Sequence, residues 1–573
     1  MVTGRGALFL TDAVAANKDI EGISVHHEQS AAFAAVAYAQ CTGKLGACLV
    51  STGCAMTNSL TGVLNAWQDG IPCVFISGQN KLHETTRYTG IPLRTYGQQE
   101  ADIIPIVASI TKYAVMITDP NTIAYELEKA LFLAQSGRKG PVWIDIPLDV
   151  QNMRIEAAEL KHFEIPAEKL PGPTSDDLSY VLSQLNESER PTVLVGSGIR
   201  SAEANQELAE FIEKYQTPLT YTGSSSDIYG DDNELSIGSV GIMGCSRAGN
   251  FTIQNSDLVL VLGHRLSSMT TGTDYDKFAR SAKVIVVDID GVEHSKASIR
   301  MDKLIISDVK KFLSAFNKEE SIQPRENWIS QCLHWKKIFP RWESEYTHSD
   351  KIDLYELSEC LTDVMPENAV FLSDSGLNEL ILPTNIGFRK NQRCIHPASQ
   401  GSMGFALPAT IGAHYASQSP LIAMIGDGSV MMNLQELTTI KYKNIPAKIF
   451  IISNNAYAVI RKRQIELFRS RSIGTDPSDG VGIPNFEKVA YGFEIPYRRI
   501  DNRTDLKQKL KDIISMNGPV ICEIMGLENQ DYASVSHVRN QQKRFVQRPL
   551  EDQAPFLDRD LFLSEMIIEP IDQ

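Results

Sequence analysis

Short runs of aliphatic and β-branched residues alternate with longer stretches of helical apolar spacing over nearly the whole chain. The runs at 47–51, 73–77, 142–146, 192–195, 258–262, 284–288, 369–372, 421–425, 449–452 and 520–524 are apolar at most consecutive positions, and Gly, Asp or Ser follows or closes all but 142–146 and 520–524. Strands covered by helices on both faces read this way, whereas half-exposed strands alternate. The pattern predicts an α/β fold of doubly wound parallel sheets with function at the strand ends. Residues 22–28 read as a further strand ending in an acid, residues 29–40 as an Ala-rich helix, and residues 432–442 as an amphipathic helix.

At 573 residues the chain exceeds a single core, and roughly 150 residues per domain gives three or four. A Pro-rich charged stretch, 156–177, and a polar stretch, 317–350, read as linkers. They separate domains at 1–155, 176–316 and 351–540 from a tail at 541–573. Gly140-Pro141-Val142-Trp143-Ile144-Asp145-Ile146 recurs as Gly518-Pro519-Val520-Ile521-Cys522-Glu523-Ile524, a weak internal repeat between the first and third domains. Met1-Val2-Thr3-Gly4 reads as the second half of a strand.

Composition narrows the partners. With 55 Lys+Arg against 70 Asp+Glu the net charge is −15, which repels nucleic acid and anionic lipid, so small molecules are the expected partners. No apolar run approaches the length of about 18 residues that a membrane span needs. Nine cysteines without a Cys-x-x-Cys, mostly inside apolar segments, indicate a reducing, cytoplasmic setting.

The chemistry gathers at two strand ends in the third domain. Run 421–425 enters Gly426-Asp427-Gly428-Ser429, a turn whose backbone amides converge as an anion site. An aspartate there holds a hard divalent cation that bridges to phosphate. Run 449–452 enters Ser453-Asn454-Asn455, which can supply an amide oxygen and a carbonyl. Gly-Asp-Gly alone is a common turn; its pairing with Asn-Asn after one helix and one strand sets it apart. In the middle domain, Gly196-Ser197-Gly198, Gly263-His264-Arg265 and Asp288-Ile289-Asp290 follow predicted strands. A strand-end arginine and a strand-end acid suit the phosphate and ribose of a dinucleotide.

Gly-Asp-Gly followed by Asn-Asn resembles the signature of thiamine-diphosphate enzymes, and essentially the whole chain resembles the acetolactate-synthase-like group. This includes Gly62-Val63-Leu64, Asp69-Gly70-Ile71-Pro72, Ile76-Ser77-Gly78-Gln79, Gln98-Gln99-Glu100 and Thr111-Lys112. The resemblance implies pyrimidine-binding, central FAD-binding and diphosphate-binding domains. It implies Asp427, the Asn454 side chain and the Ala456 carbonyl as Mg²⁺ ligands, with Gly426, Gly428 and Ser429 at the diphosphate. Met403 would prop the cofactor in its bent shape, and core packing is the alternative for it. Glu28 would activate the aminopyrimidine, although an acid in a first helical turn also suits the helix dipole. Gln99 would reach into the active site, against the alternative of a solvated loop residue. Gly196, Gly198, Arg265 and Asp288 would bind FAD, with a degenerate empty domain as the alternative, and the thiamine cofactor would lie between subunits of a homodimer or homotetramer. A further helix is expected ahead of Met1.

Three departures touch the substrate. Thr52-Gly53-Cys54-Ala55 replaces a Thr-Gly-Pro-Gly loop, Met269 stands where biosynthetic acetolactate synthases carry a second arginine, and Arg463 where they carry tryptophan. The tail from Arg548 to Leu557 resembles a surface-polysaccharide subgroup that includes the yersiniose-type carboligase. Arg461, Lys462 and Arg463 could then meet a nucleotide diphosphate, or form a solvated helix face. The expectation is a decarboxylating carboligase that moves a two-carbon unit from pyruvate to a carbonyl acceptor, which could be a nucleotide-linked keto-deoxysugar. The alternatives are acetolactate synthesis for amino acids, a pyruvate decarboxylase or oxidase, and a non-catalytic oligomeric scaffold.

Overall fold

The computed structural model describes residues 1–167, 170–344, 349–539 and 545–571. The first domain carries β1 (Gly46–Val50), β2 (Cys73–Gln79), β3 (Tyr113–Met116) and β4 (Pro141–Pro147), ordered β1-β2-β4-β3. The middle domain carries β5 (Pro191–Val195), β6 (Leu219–Tyr221), β7 (Ser236–Ser239), β8 (Leu258–Leu262), β9 (Lys283–Asp288) and β10 (Lys303–Ile306), ordered β10-β9-β8-β5-β6-β7. The third carries β11 (Val370–Ser373), β12 (Arg393–Ile395), β13 (Leu421–Gly426), β14 (Ala447–Ser453), β15 (Tyr497–Ile500) and β16 (Val520–Met525), ordered β12-β11-β13-β14-β16-β15. All three sheets are parallel, as the consecutive apolar runs require.

The internal repeat has a topological counterpart. In the first sheet the order β1-β2-β4-β3 matches β13-β14-β16-β15 in the third, and the recurring Gly-Pro-Val segments open β4 and β16. Strands absent from the sequence reading are short, polar or peripheral: β7 reads Ser-Ile-Gly-Ser, and β15 exposes Arg498 and Arg499 at a sheet edge. Their apolar signal is too thin to register.

Four expectations are corrected. Residues 22–28 form no strand. Val2 N–H donates to Leu49 O and Val25 N–H to Met1 O, so residues 1–3 occupy the place beside β1 and 22–28 run outside them. The helix expected at 432–442 covers only Glu436–Tyr442 after a 3₁₀ turn at Val430–Met432, because Asn433 leaves helical geometry to bridge other segments. The first linker ends at Thr174, whose side chain caps the helix Ser175–Glu187 in a reciprocal capping box with Asp177. The second contains a helix, Glu326–Ile338, that buries Trp328, Cys332 and Trp335 at helical spacing against Phe251, Phe339 and Phe562. Of the tail, the described part belongs to the middle domain's packing. Phe562 joins that aromatic cluster, and buried Glu551 accepts from Arg280 and Gln254.

The first and third domains share one core. The helix Glu28–Thr42 lies against the helix Ala406–Ala416, and Phe33 meets Phe405 edge-on at 5.2 Å. A side chain at Gly412 would strike the Ala34 carbonyl, so small residues on both helices permit the approach. This contact carries the start of the Glu28 helix to the strand ends of the third sheet.

Candidate functional site

At the end of β13, Asp427 is buried and its carboxylate is clasped by backbone amides. Gly428 N–H donates to Oδ1 (2.8 Å), and Asn454 and Asn455 N–H donate to Oδ2 (3.0 and 2.6 Å). Pairing of β13 with β14 aligns the two strand ends in register, so that Gly426 faces Ile452. Asn455 has φ of 58°, a left-handed geometry that asparagine tolerates well, so the Asn-Asn pair serves the turn as well as the chemistry. Burial pushes the Asp427 carboxyl up to about 6 against the three amides. Gly428 makes room for the Tyr457 ring: an added Cβ would lie 2.8 Å from Tyr457 Cζ and 3.0 Å from Cδ1, and closer still to Cε1.

Asp374, which sequence reasoning missed, ties this turn to the Met403 loop. It is fully buried at the end of β11. Ser375 N–H (2.8 Å), Gly404 N–H (3.1 Å) and the Ser429 hydroxyl donate to Oδ1, and Ala406 N–H donates to Oδ2 (2.8 Å). Burial raises its carboxyl from the ordinary aspartate range. Asn433, also missed, accepts from Ser30 Oγ (2.9 Å) and donates to Gln29 Oε1 (3.0 Å) and Gly404 O (2.9 Å). Its backbone neighbour Glu436 accepts from His26 N–H (3.0 Å). Asp374, Asn433 and Glu436 thus draw together the Asp427 turn, half-buried Met403 and the helix that Glu28 begins. In the sequence the only signal for Asp374 was an acid at the end of run 369–372.

Glu28 itself accepts from Asn58 Nδ2 (2.9 Å) and is half-buried in the first turn of its helix, where the sequence pattern puts it at the end of a strand. Gln99 is exposed with φ of 61°, and its carbonyl lies against Gly53 so closely that any Cβ there would collide. The altered Thr52-Gly53-Cys54-Ala55 loop and the Gln99 loop are therefore in contact.

The donor set expected at the Asp427 turn would be the Asp427 carboxylate, the Asn454 carboxamide and the Ala456 carbonyl. These are hard oxygens that leave room for phosphate and water, as Mg²⁺ prefers. Among the described residues no group of three or more His, Cys, Asp or Glu side chains forms a metal cage.

A second site is a cavity of about 580 Å³ walled by all three domains. Gly198, Arg265 and Asp288 line it, with Gly196 directly behind them. The two glycines permit contact between chain segments. A Cβ on Gly196 would lie 2.5 Å from His264 Cα, one on Gly198 would lie 2.6 Å from Gly263 O, and both N–H groups donate to backbone carbonyls. Arg265 donates to Ser399 Oγ (3.2 Å), and Asp288 accepts from Asp290 N–H (2.9 Å). Arg138, a further cavity residue absent from the sequence reading, donates to Asp290 (2.9 Å) and Glu293 (2.8 Å). Gln68 and Gln400 each leave a buried side-chain oxygen without a hydrogen bond in this wall. Volume, cations and unsatisfied acceptors fit a dinucleotide.

The basic cluster does not face such a ligand. Arg461 is buried and donates to Asp476 (3.1 Å), Glu528 (2.9 Å) and Asn529 (2.9 Å); Lys462 pairs with Asp531 (2.7 Å), and Arg463 with Glu466 (3.4 Å) on a half-exposed helix.

Three doubly wound domains, with an Asp and Asn clasp at paired strand ends and a first-domain acid helix docked beside it, define a thiamine-diphosphate-binding enzyme. The thiamine pyrophosphate enzyme models match in chain order: the N-terminal TPP binding domain over residues 1–106, the central domain over 178–316 and the C-terminal TPP binding domain over 374–524. The chain is similar to the acetolactate synthase large subunit of Porphyra purpurea, 31% identical over 524 residues, covering 89% of this chain and 86% of the relative. It is also similar to that of Cyanidium caldarium, 32% identical over 532 residues with 89% and 87% covered. A third relative is the chloroplastic acetolactate synthase of Arabidopsis thaliana, 29% identical over 539 residues with 91% and 78% covered. The chain belongs to the thiamine pyrophosphate enzyme family and has acetolactate synthases among its relatives.

Proposed function

We propose that the protein is a Mg²⁺-dependent decarboxylating carboligase that takes a two-carbon unit from pyruvate and joins it to a carbonyl acceptor. The observation that carries this reading is the Asp427 clasp, held by Asp374 and Asn433 against both Met403 and the Glu28 helix. When bound, thiamine diphosphate supplies an electron sink that lets carbon dioxide leave a 2-oxo acid and keeps the remaining fragment nucleophilic. Asp427, Asn454 and the Ala456 carbonyl would hold Mg²⁺, with Gly426, Gly428 and Ser429 around the diphosphate. In this structure the Gly428 amide is donated to Asp427. Met403 would orient the cofactor, Glu28 would hold a proton opposite its amino group, and Gln99 would approach the substrate from its exposed loop.

The relatives favour acetolactate formation, in which the acceptor is a second 2-oxo acid. A nucleotide-linked keto-deoxysugar is the second reading. It is supported by Met269, which lines the cavity and is 48% exposed where biosynthetic enzymes place an arginine. The engaged Arg461–Arg463 cluster gives that reading no support. We assign the 580 Å³ cavity to FAD on its volume and its Arg138, Arg265 and Asp288 side chains.

A homodimer or homotetramer is supported by exposed apolar side chains around the Gln99 loop, namely Tyr88, Ile91, Leu93 and Tyr96, and by Ile460, Leu467 and Phe468 beyond the metal turn. The free cysteines are compatible with a cytoplasmic setting, and no described helix is long and apolar enough to cross a membrane.

The test is carbon dioxide release from pyruvate with thiamine diphosphate, Mg²⁺ and FAD, alone and with 2-oxobutyrate or a nucleotide-linked 4-keto-deoxysugar. Acetolactate at full rate from pyruvate alone selects the synthase, and acceleration only by the keto-sugar selects the second reading. Acetaldehyde, acetyl phosphate or peroxide as main product would reject carboligation. Glu28→Gln should abolish turnover while leaving the cofactor bound; undiminished release would remove Glu28 from its role.

A further inference from the structure

The cavity that we assign to FAD has two buried titratable side chains in its third-domain wall. Glu379 comes from the helix Leu377–Asn385 and His396 from the residue after β12. Their side chains are 15% and 6% exposed. His396 Nε2 lies 3.0 Å from the Gly223 carbonyl of the middle domain. A carbonyl can only accept, so Nε2 carries a hydrogen and the tautomer is decided. The other ring nitrogen, Nδ1, is buried without a hydrogen-bond partner, and Glu379 Oε1 stands 3.6 Å from it.

In a neutral imidazole with hydrogen on Nε2, Nδ1 presents a lone pair. Set against an ionised carboxylate and screened from water, it would repel the Glu379 oxygen. One proton removes the conflict, whether it sits on Nδ1 or on the carboxyl. The surrounding charges favour keeping it. Asp69 of the first domain, half-buried and accepting from Ser399 N–H (3.0 Å) and Asn65 Nδ2 (2.8 Å), adds negative charge, as does buried Asp374 of the third domain. The middle domain contributes Arg265 beside Ser399 and the Gly223 carbonyl. Burial lowers the His396 pKa, but Glu379, the Gly223 carbonyl and Asp69 together outweigh it and the group ends above the ordinary imidazole value; burial raises Glu379.

We propose that Glu379 and His396 share one buried proton in the cavity wall and that binding of an anionic dinucleotide in the cavity is linked to that proton. The second half rests on the assignment of the cavity to FAD. Losing the shared proton leaves a net negative pair beside Asp69, which opposes an incoming diphosphate. Affinity should therefore hold on the acid side and fall as pH rises through the raised imidazole pKa.

FAD binding, followed by flavin fluorescence quenching from pH 6 to 9, should weaken by about tenfold overall, the effect of one pKa unit of coupling. In Glu379→Gln the charge that raises the imidazole is gone, and the midpoint of that fall should move down by about 1 pH unit or more. Calorimetry of the unaltered protein in buffers of different ionisation enthalpy should show net proton uptake on binding near the midpoint, and this arm needs no variant to fold. Affinity independent of pH, an unmoved midpoint in Glu379→Gln, or no proton uptake would overturn the linkage. If FAD binds at no pH, the cavity assignment fails by itself. The shared proton is then decided by the His396 ring signals in ¹⁵N-histidine-labelled protein. Titration above about 6.5 upholds it, and titration at or below that value overturns it.

Discussion

Gly428→Ala tests the Asp427 turn by geometry alone. The new methyl would sit 2.8 Å from Tyr457 Cζ and 3.0 Å from Cδ1, whereas carbon atoms settle at about 3.5–4.0 Å, so the ring must retreat by about 1 Å or more. Tyr457 follows Asn454 and Ala456 directly, and its N–H is anchored to Thr475 O at 2.8 Å. Part of the displacement therefore reaches the Asn454–Ala456 segment. Overpacking of this kind costs about 1–3 kcal/mol. The half-buried Tyr457 ring can turn partly toward solvent, which favours the lower end. About 1 kcal/mol is about fivefold in affinity, and that weakening is expected in a thiamine diphosphate and Mg²⁺ titration followed by intrinsic fluorescence. Tyr457→Ala in the same chain should recover most of it, because the colliding ring is gone. Unchanged affinity in Gly428→Ala, or a deficit that persists in the double variant, would refute the steric argument.

The buried Asp145 carboxyl accepts from Ser77 Oγ (2.6 Å) and Gln79 Nε2 (3.1 Å), and burial pushes it up to about 7. Its destabilising effect is absent below about pH 4, grows as pH rises, and is complete above pH 7, with a ceiling of about 4 kcal/mol. Asp145→Asn loses about 1 kcal/mol in mismatched hydrogen bonding, so urea unfolding should find the variant a few kcal/mol more stable at pH 8, with the gain disappearing toward pH 4. Asp374→Asn faces a donor on at least one side of its carboxamide. It should weaken thiamine diphosphate binding by about tenfold while the far-ultraviolet circular dichroism stays unchanged. Trp335→Ala empties the aromatic cluster under the middle domain and removes the indole N–H that Glu565 accepts at 2.9 Å, leaving Glu565 with Gln331 and His334. Chemical denaturation should show a loss of about 3–5 kcal/mol with no effect on cofactor affinity.

Most of the architecture was readable from local pattern because the central strands of all three sheets are buried on both faces, and burial on both faces writes itself as consecutive apolar residues. The ten runs all became strands, and Gly-Asp-Gly with Asn-Asn fell at the ends of neighbouring β13 and β14. Where the pattern misled, polar residues concealed a structural role. Lys336 and Lys337 disguised the helix that buries Trp328 and Trp335, and Asn433 interrupted a helix so that its side chain could bridge two domains.

Residue type and spacing were thus sufficient for the fold class, the domain order and the placing of the Gly-Asp-Gly and Asn-Asn turns at strand ends, because each depends on neighbours in sequence. Long-range packing alone made Asp374 and Asn433 the ties between the turn, the Met403 loop and the Glu28 helix, and placed Gly223 against His396 from another domain. Partners such as Ser30 and Asn433 lie 403 positions apart in sequence, and their hydrogen bond exists only once the first and third domains have buried a common core. The same holds for Arg461, whose charge looked available in the linear chain and is consumed by Asp476 and Glu528 when the loops close around it.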